Sequence, residues 1–168
     1  MICGEKLGIN VAKFNIFKMI MGHLLPRLVG PDGEATEMAL TQYKGNSGKV
    51  AVVGGSIEYT GAPFYSAIAA LRAGADLSHI YCPDQALIPI KCYSPEIIVH
   101  PIDALSAKET ALQLIQVART IVFGPGLGRS PYSQELLQAL LKELIEVNPK
   151  QTSFVFDADA LWYVANDV

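Results

Sequence analysis

Three observations predict an α/β fold, a three-layer arrangement of a mainly parallel sheet with helices on both faces. Five short runs rich in β-branched and aromatic residues alternate with helical patterns over roughly 120 residues, the order expected of consecutive βαβ units. The first run, Val50-Ala51-Val52-Val53, is apolar throughout, as a strand covered on both faces must be. Glycine clusters follow the first and fourth runs directly, at the strand ends where such sheets bind ligands.

Gly30-Pro31-Asp32-Gly33-Glu34 closes an N-terminal segment, and Lys44-Gly45-Asn46-Ser47-Gly48 makes a polar turn before the first strand. Residues 1–43 are therefore expected as an extension and 44–168 as the folded domain. After Gly54-Gly55-Ser56 a loop runs to Gly61. Pro63, with Thr60 or Gly61 near the cap, predicts a helix over 62–73 that Gly74 ends. Leu77-Ser78-His79-Ile80-Tyr81 reads as the second strand, followed by a short helix over 84–91. The third strand is Ile97-Ile98-Val99-His100, with a helix over 108–118. Thr120-Ile121-Val122-Phe123 is the fourth, with a longer helix over 131–147. Ser153-Phe154-Val155-Phe156 is the fifth, and a helix begins at 158. No terminator follows it, so the sheet is expected to be incomplete.

Composition bounds the function. Of 168 residues, 51% are hydrophobic and 17% charged, which describes a well-buried globular chain. A net charge of −3 gives no electrostatic reason to expect nucleic acid or an anionic membrane as partner. Cys3, Cys82 and Cys92 form no C-x-x-C pair and the three histidines are scattered, which argues against a disulfide framework and a zinc site. A cytoplasmic setting is expected. The alternative is a mitochondrial address, because residues 1–29 hold Lys6, Lys13, Lys18 and Arg27 against the single acid Glu5 around an amphipathic run. An open sheet edge would also invite association into homo-oligomers.

Gly124-Pro125-Gly126-Leu127-Gly128-Arg129-Ser130 joins a strand to a helix with little side-chain bulk. Backbone N–H groups can crowd a ligand there, and a helix start favours anions. The spacing is G-x-G-x-G and not the dinucleotide fingerprint, so the residues alone leave a ligand loop and an ordinary tight turn open. The loop after the first strand offers Ser56, Thr60 and the aromatic face of Tyr59, then the helix start at Gly61 and Ala62. Asp157 and Asp159 flank Ala158 at the fifth strand's end; Asp157 is placed at the pocket rim and Asp159 as the helix cap. Gly45-Asn46-Ser47-Gly48-Lys49-Val50 fails as a P-loop, because Val50 stands where a magnesium-binding hydroxyl belongs and the run precedes its strand. His79 and His100 alternate with apolar residues and read as structural.

Several of these segments together resemble the ATP-dependent NAD(P)H-hydrate dehydratases, closest to the eukaryotic branch. They are Val52 to Ser56 with Tyr59-Thr60-Gly61-Ala62-Pro63, Ala69 to Leu77, Tyr93-Ser94-Pro95-Glu96 to Pro101, Gly124 to Arg129, and Asp157-Ala158-Asp159-Ala160-Leu161-Trp162. The resemblance runs from Lys44 to the last residue. It implies a ribokinase-like fold and a repair reaction. ATP, with magnesium, phosphorylates the hydroxyl of the S form of hydrated NADH or NADPH, and loss of phosphate restores the cofactor. It also implies that Gly126 and Gly128 contact the hydrate with the helix start at Ala62 against it. Gly61, Thr60, Tyr59 and Asp157 are placed around the same ligand by their positions in the loops. The family's ATP-binding segments and the G-x-G-D turn carrying its catalytic Asp are expected beyond residue 168, so neither Asp157 nor Asp159 takes the base role. A non-catalytic form that binds hydrate or a full-length partner is the second reading, and a ribokinase-like kinase for a small alcohol the third.

Overall fold

Five strands in a computed structural model form one parallel sheet in the order β3-β2-β1-β4-β5. The structure describes residues 44–147 and 152–166, all within one compact unit, Lys44–Val168. The N-terminal extension and its basic amphipathic run lie outside the described residues. In chain order the elements are β1 (Lys49–Val53), α1 (Gly61–Arg72), β2 (Leu77–Cys82), α2 (Asp84–Lys91), β3 (Ile98–Pro101) and α3 (Ala107–Val117). They continue as β4 (Thr120–Phe123), α4 (Pro131–Val147), β5 (Ser153–Phe156) and α5 (Ala158–Asn166). Among the described residues no helix is long and apolar enough to cross a membrane.

Alternation along the strands creates two cores. Ala51 and Val53 of β1, Tyr81 of β2 and Ile121 and Phe123 of β4 face α3, α4 and α5. Val52, Ile80 and Cys82 face Ala67 of α1 and Ala86 and Ile90 of α2. Strands buried on both sides read as unbroken apolar runs, which is why β1 shows no alternation. Leu136, Leu137, Leu140 and Leu144 give α4 a buried stripe at helical spacing, each worth roughly 1.5–3 kcal/mol of burial. Where α1 ends, Ala75 N–H donates to Ala70 O and Gly74 N–H to Leu71 O, the paired bonds of a Schellman stop. The polar turn before β1 is tied down by Asp76, whose Oδ2 accepts from Gly45 N–H at 2.9 Å and Ser47 N–H at 2.8 Å. Those amides, at the amino end of β1, are thereby used within the protein.

On β2 and β3, His79 Nδ1 and His100 Nε2 are 3.0 Å apart, and the His100 ring stacks on Tyr81 at 4.6 Å. Such a bond needs one N–H and one bare nitrogen, so the neutral pair can hold it and the doubly protonated pair cannot. Burial lowers both pKa values below 6.5, helped at His79 by the neighbouring imidazole and at His100 by Lys91. The unfolded chain therefore takes up protons near the ordinary value while the fold resists them. The pair's contribution is intact above pH 6.5 and is lost as pH falls from there through the lowered folded values. Thermal unfolding should be level between about pH 8 and 7 and decline toward pH 5, with a shallower decline in His100→Phe. An equal decline in the variant would assign the effect elsewhere.

Candidate functional site

The order β3-β2-β1-β4-β5 makes β1 and β4 the switch point of the sheet. From β1 the chain moves to β2 on one side, while β4 lies on the other, so the loops after β1 and β4 leave a crevice at the strands' carboxyl ends. A cavity of about 910 Å³ opens there. Residues 56–59 and Ala62 wall it from the β1 side, Pro83 and Gln85 from the β2 side. Residues 126–130 with Tyr132 and Ser133 wall it from the β4 side, and Asp159 reaches in from α5.

Glycine lets the two loops meet. A Cβ on Gly126 would lie 2.6 Å from Tyr59 O, 3.0 Å from Tyr59 Cβ and 3.2 Å from Ala62 Cβ, and its φ of +65° already disfavours a side chain. Gly55 N–H donates to Pro125 O at 3.0 Å. The β1 loop and the β4 loop are thus packed backbone to backbone, and the helix start of α1 is brought against Gly126.

From the other side α5 fastens the β4 loop. Asp159 Oδ2 accepts from Gly128 N–H at 2.9 Å, while Oδ1 accepts from Arg129 Nε at 2.9 Å. Tyr163 OH is 3.1 Å from both Gly128 O and Ser130 O. Burial, then the charge of Asp159, raises the Tyr163 pKa, which keeps the phenol protonated as the donor. At the start of α4, Ser130 Oγ accepts from Ser133 N–H at 3.1 Å and Ser133 Oγ donates to Leu127 O at 2.8 Å. This is a capping arrangement. The loop's shape is thus held by bonds within the protein.

Tyr59, Ala62, Gly126 and Gly128 line the cavity together, although Gly128 presents its Cα side, both its N–H and its C=O being bonded within the protein. Gly61 opens α1 beside them without lining the cavity. Thr60 stands at the cap position of α1 but makes no side-chain cap bond, because its hydroxyl pairs with Tyr93 OH at 2.6 Å. The two aspartates do not sit where the sequence reading put them. Asp157 is exposed and outside the cavity, whereas Asp159 lines it. Ala158, at φ 44°, turns the chain sharply between β5 and α5. It is the second carboxylate that swings to the β4 loop.

Arg129, Gln85, Tyr132 and Ser133 also line the cavity and were not singled out from the sequence. Ser130 followed by Pro131 at the start of α4 carried a usable cap signal; Gln85 carried none. Electrostatically, Arg129 is the cation among the lining residues and Glu58 and Asp159 are the carboxylates, with first-turn residues of α1 and α4 beside them. Helix starts and a guanidinium favour an anionic ligand. Among the described residues no cluster of His, Cys, Asp or Glu could hold a metal ion.

The profile of the NAD(P)H-hydrate dehydratases matches residues 50–168. An ATP-dependent (S)-NAD(P)H-hydrate dehydratase of Entamoeba histolytica is 43% identical over 132 residues, which are 77% of this chain and 43% of that protein. One from Drosophila pseudoobscura is 45% identical over 127 residues, 75% of this chain and 41% of that protein. The chain thus spans about two fifths of the length of these curated relatives. In three dimensions, a ribokinase-like superfamily protein of Enterococcus faecalis, known from its crystal structure, superposes with a TM-score of 0.62 at 28% identity. The match covers 76% of this chain and 42% of that one.

Proposed function

The chain belongs to the NAD(P)H-hydrate dehydratase family, and we propose that it serves ATP-dependent repair of the S form of hydrated NADH and NADPH. The observation that carries this is the meeting of the Tyr59-Thr60-Gly61-Ala62 and Gly124-to-Arg129 segments around one cavity at the sheet's switch point. In the proposed reaction the hydroxyl of the hydrated ring gives up its proton and attacks the terminal phosphorus of ATP, and ADP leaves. The resulting phosphate ester then departs as phosphate while a ring proton is lost, restoring the double bond. A poor leaving group has become a good one.

For the described residues we propose the task of holding the hydrate. The glycine loop lets a flat ring approach the backbone, Tyr59 offers it an aromatic face, and the starts of α1 and α4 receive the dinucleotide's pyrophosphate. Asp159 is a positioning group in this reading, since both its oxygens accept bonds from the β4 loop. Magnesium is proposed as the partner of ATP's phosphates, which hold it with few protein ligands. The described carboxylates do not cluster to bind it, and no step is assigned through it to them.

Calorimetry with the S and R hydrates of NADPH tests the reading. Saturable binding of the S form in preference to R is expected, and absence of S-hydrate binding would overturn it. The second reading for this polypeptide is binding without turnover. Release of ADP that requires both the S hydrate and magnesium would exclude that second reading.

A further inference from the structure

Arg129 is the one cation among the residues that line the cavity, and its guanidinium is held on two sides. Nε donates to Asp159 Oδ1 at 2.9 Å, and the guanidinium carbon lies 5.1 Å from the ring centroid of Trp162. The first bond fixes the plane's orientation and the aromatic face supports it from below. Neither contact uses the Nη groups, and the side chain is still 55% exposed. A pair this exposed contributes little stability on its own, so a purely structural staple is a poor explanation for so constrained a geometry. The next residue, Ser130, caps α4, so the backbone of Arg129 leads directly into a helix start that also favours negative charge.

We propose that the Nη edge of Arg129 binds the pyrophosphate of the hydrated dinucleotide, with Asp159 and Trp162 as the groups that pre-orient it. The assignment rests on the cavity being the hydrate site and deepens that reading. Arginine suits the task because its planar fork can donate two parallel hydrogen bonds to one phosphate, which an ammonium cannot reproduce. Asp159 offsets part of the guanidinium's charge but bonds only its Nε side, so the Nη donors stay available for hydrogen bonds to the ligand.

Trp162, the single tryptophan of the chain, supplies the readout. It is 40% exposed and touches the guanidinium, so a ligand drawing on Arg129 changes its emission. The experiment titrates the full chain with inorganic pyrophosphate and with ADP-ribose, exciting Trp162 at a wavelength where neither absorbs. Calorimetry with the S hydrate of NADPH is run in parallel. Wild type is expected to saturate with all three. Arg129→Gln should weaken each by about ten- to a hundredfold with little change in melting temperature, and Arg129→Lys should recover only part of the loss. An Arg129→Gln protein that melts like wild type and binds pyrophosphate and hydrate as tightly would overturn the assignment while leaving the hydrate site standing. Failure of wild type to bind the S hydrate would instead remove the reading on which the assignment rests. Equal affinity of Arg129→Lys and wild type would reduce the residue to a diffuse charge and would also count against it.

Discussion

Gly124→Ala is expected to destabilise this fold by roughly 3–5 kcal/mol, the sum of backbone strain and overpacking, and to abolish ligand binding. Gly124 leaves β4 at a φ of +113°, a conformation that side chains rarely adopt. A methyl group placed there would also strike Asp157 O and lie 2.7 Å from both Cβ and N of Ala160. None of these can withdraw cheaply. Asp157 N–H is bonded to Phe123 O, and Ala160 N–H is bonded to Asp157 O, so the β5–α5 turn would move as a unit. Ala160 is fully buried against the core that contains Phe123 and Leu140, and that core would open with it. Urea unfolding followed by circular dichroism and Trp162 emission measures the loss. A melting temperature within about two degrees of wild type would show that the turn yields without strain.

Local chemistry made most of this fold legible. The α2, β4, α4 and β5 boundaries coincide with those predicted, because each is set by a proline, a glycine or an abrupt change from β-branched to helical composition. At β3 the strand begins at Ile98 and runs through Pro101, one residue later than the apolar run suggests. Its pairing is set by β2, where His79 faces Ile98 and Cys82 faces Pro101, and that register is a tertiary fact. The end of β2 at Cys82 in place of Tyr81 has the same origin.

The site was legible only in part. The approach of Gly126 to Tyr59 and Ala62 needs two strands to be neighbours in the sheet, and the order β2-β1-β4 is not written in either loop. Thr60 looked like a cap because hydroxyls at that position usually are. A tyrosine from the loop after α2 competes for it in three dimensions. Asp157 and Asp159 are indistinguishable by type and spacing. What separates them is the positive φ of Ala158 between them, which no composition rule assigns to alanine.

Asp159→Ala should therefore carry the larger functional loss of the two aspartate substitutions, a fall in S-hydrate affinity of about tenfold or more against little change for Asp157→Ala. Asp159 joins two things that the cavity needs. It accepts the Gly128 N–H, fixing the glycine loop, and it accepts Arg129 Nε, fixing the cation. Alanine removes both acceptors at once and leaves a part-buried N–H unpaired, which costs about 1–3 kcal/mol. Tyr163 still bonds the carbonyls of Gly128 and Ser130, so the loop should loosen without the fold collapsing. Asp159→Asn separates geometry from charge. Its amide oxygen can still accept from Gly128, so stability should return most of the way, while the uncharged partner orients Arg129 less firmly. If Asp159→Asn binds hydrate as weakly as Asp159→Ala yet melts like wild type, the negative charge beside Arg129 is what matters. If Asp159→Ala binds as well as wild type, the loop holds its shape through Tyr163 and the α4 cap alone, and Asp159 is only a surface ion pair.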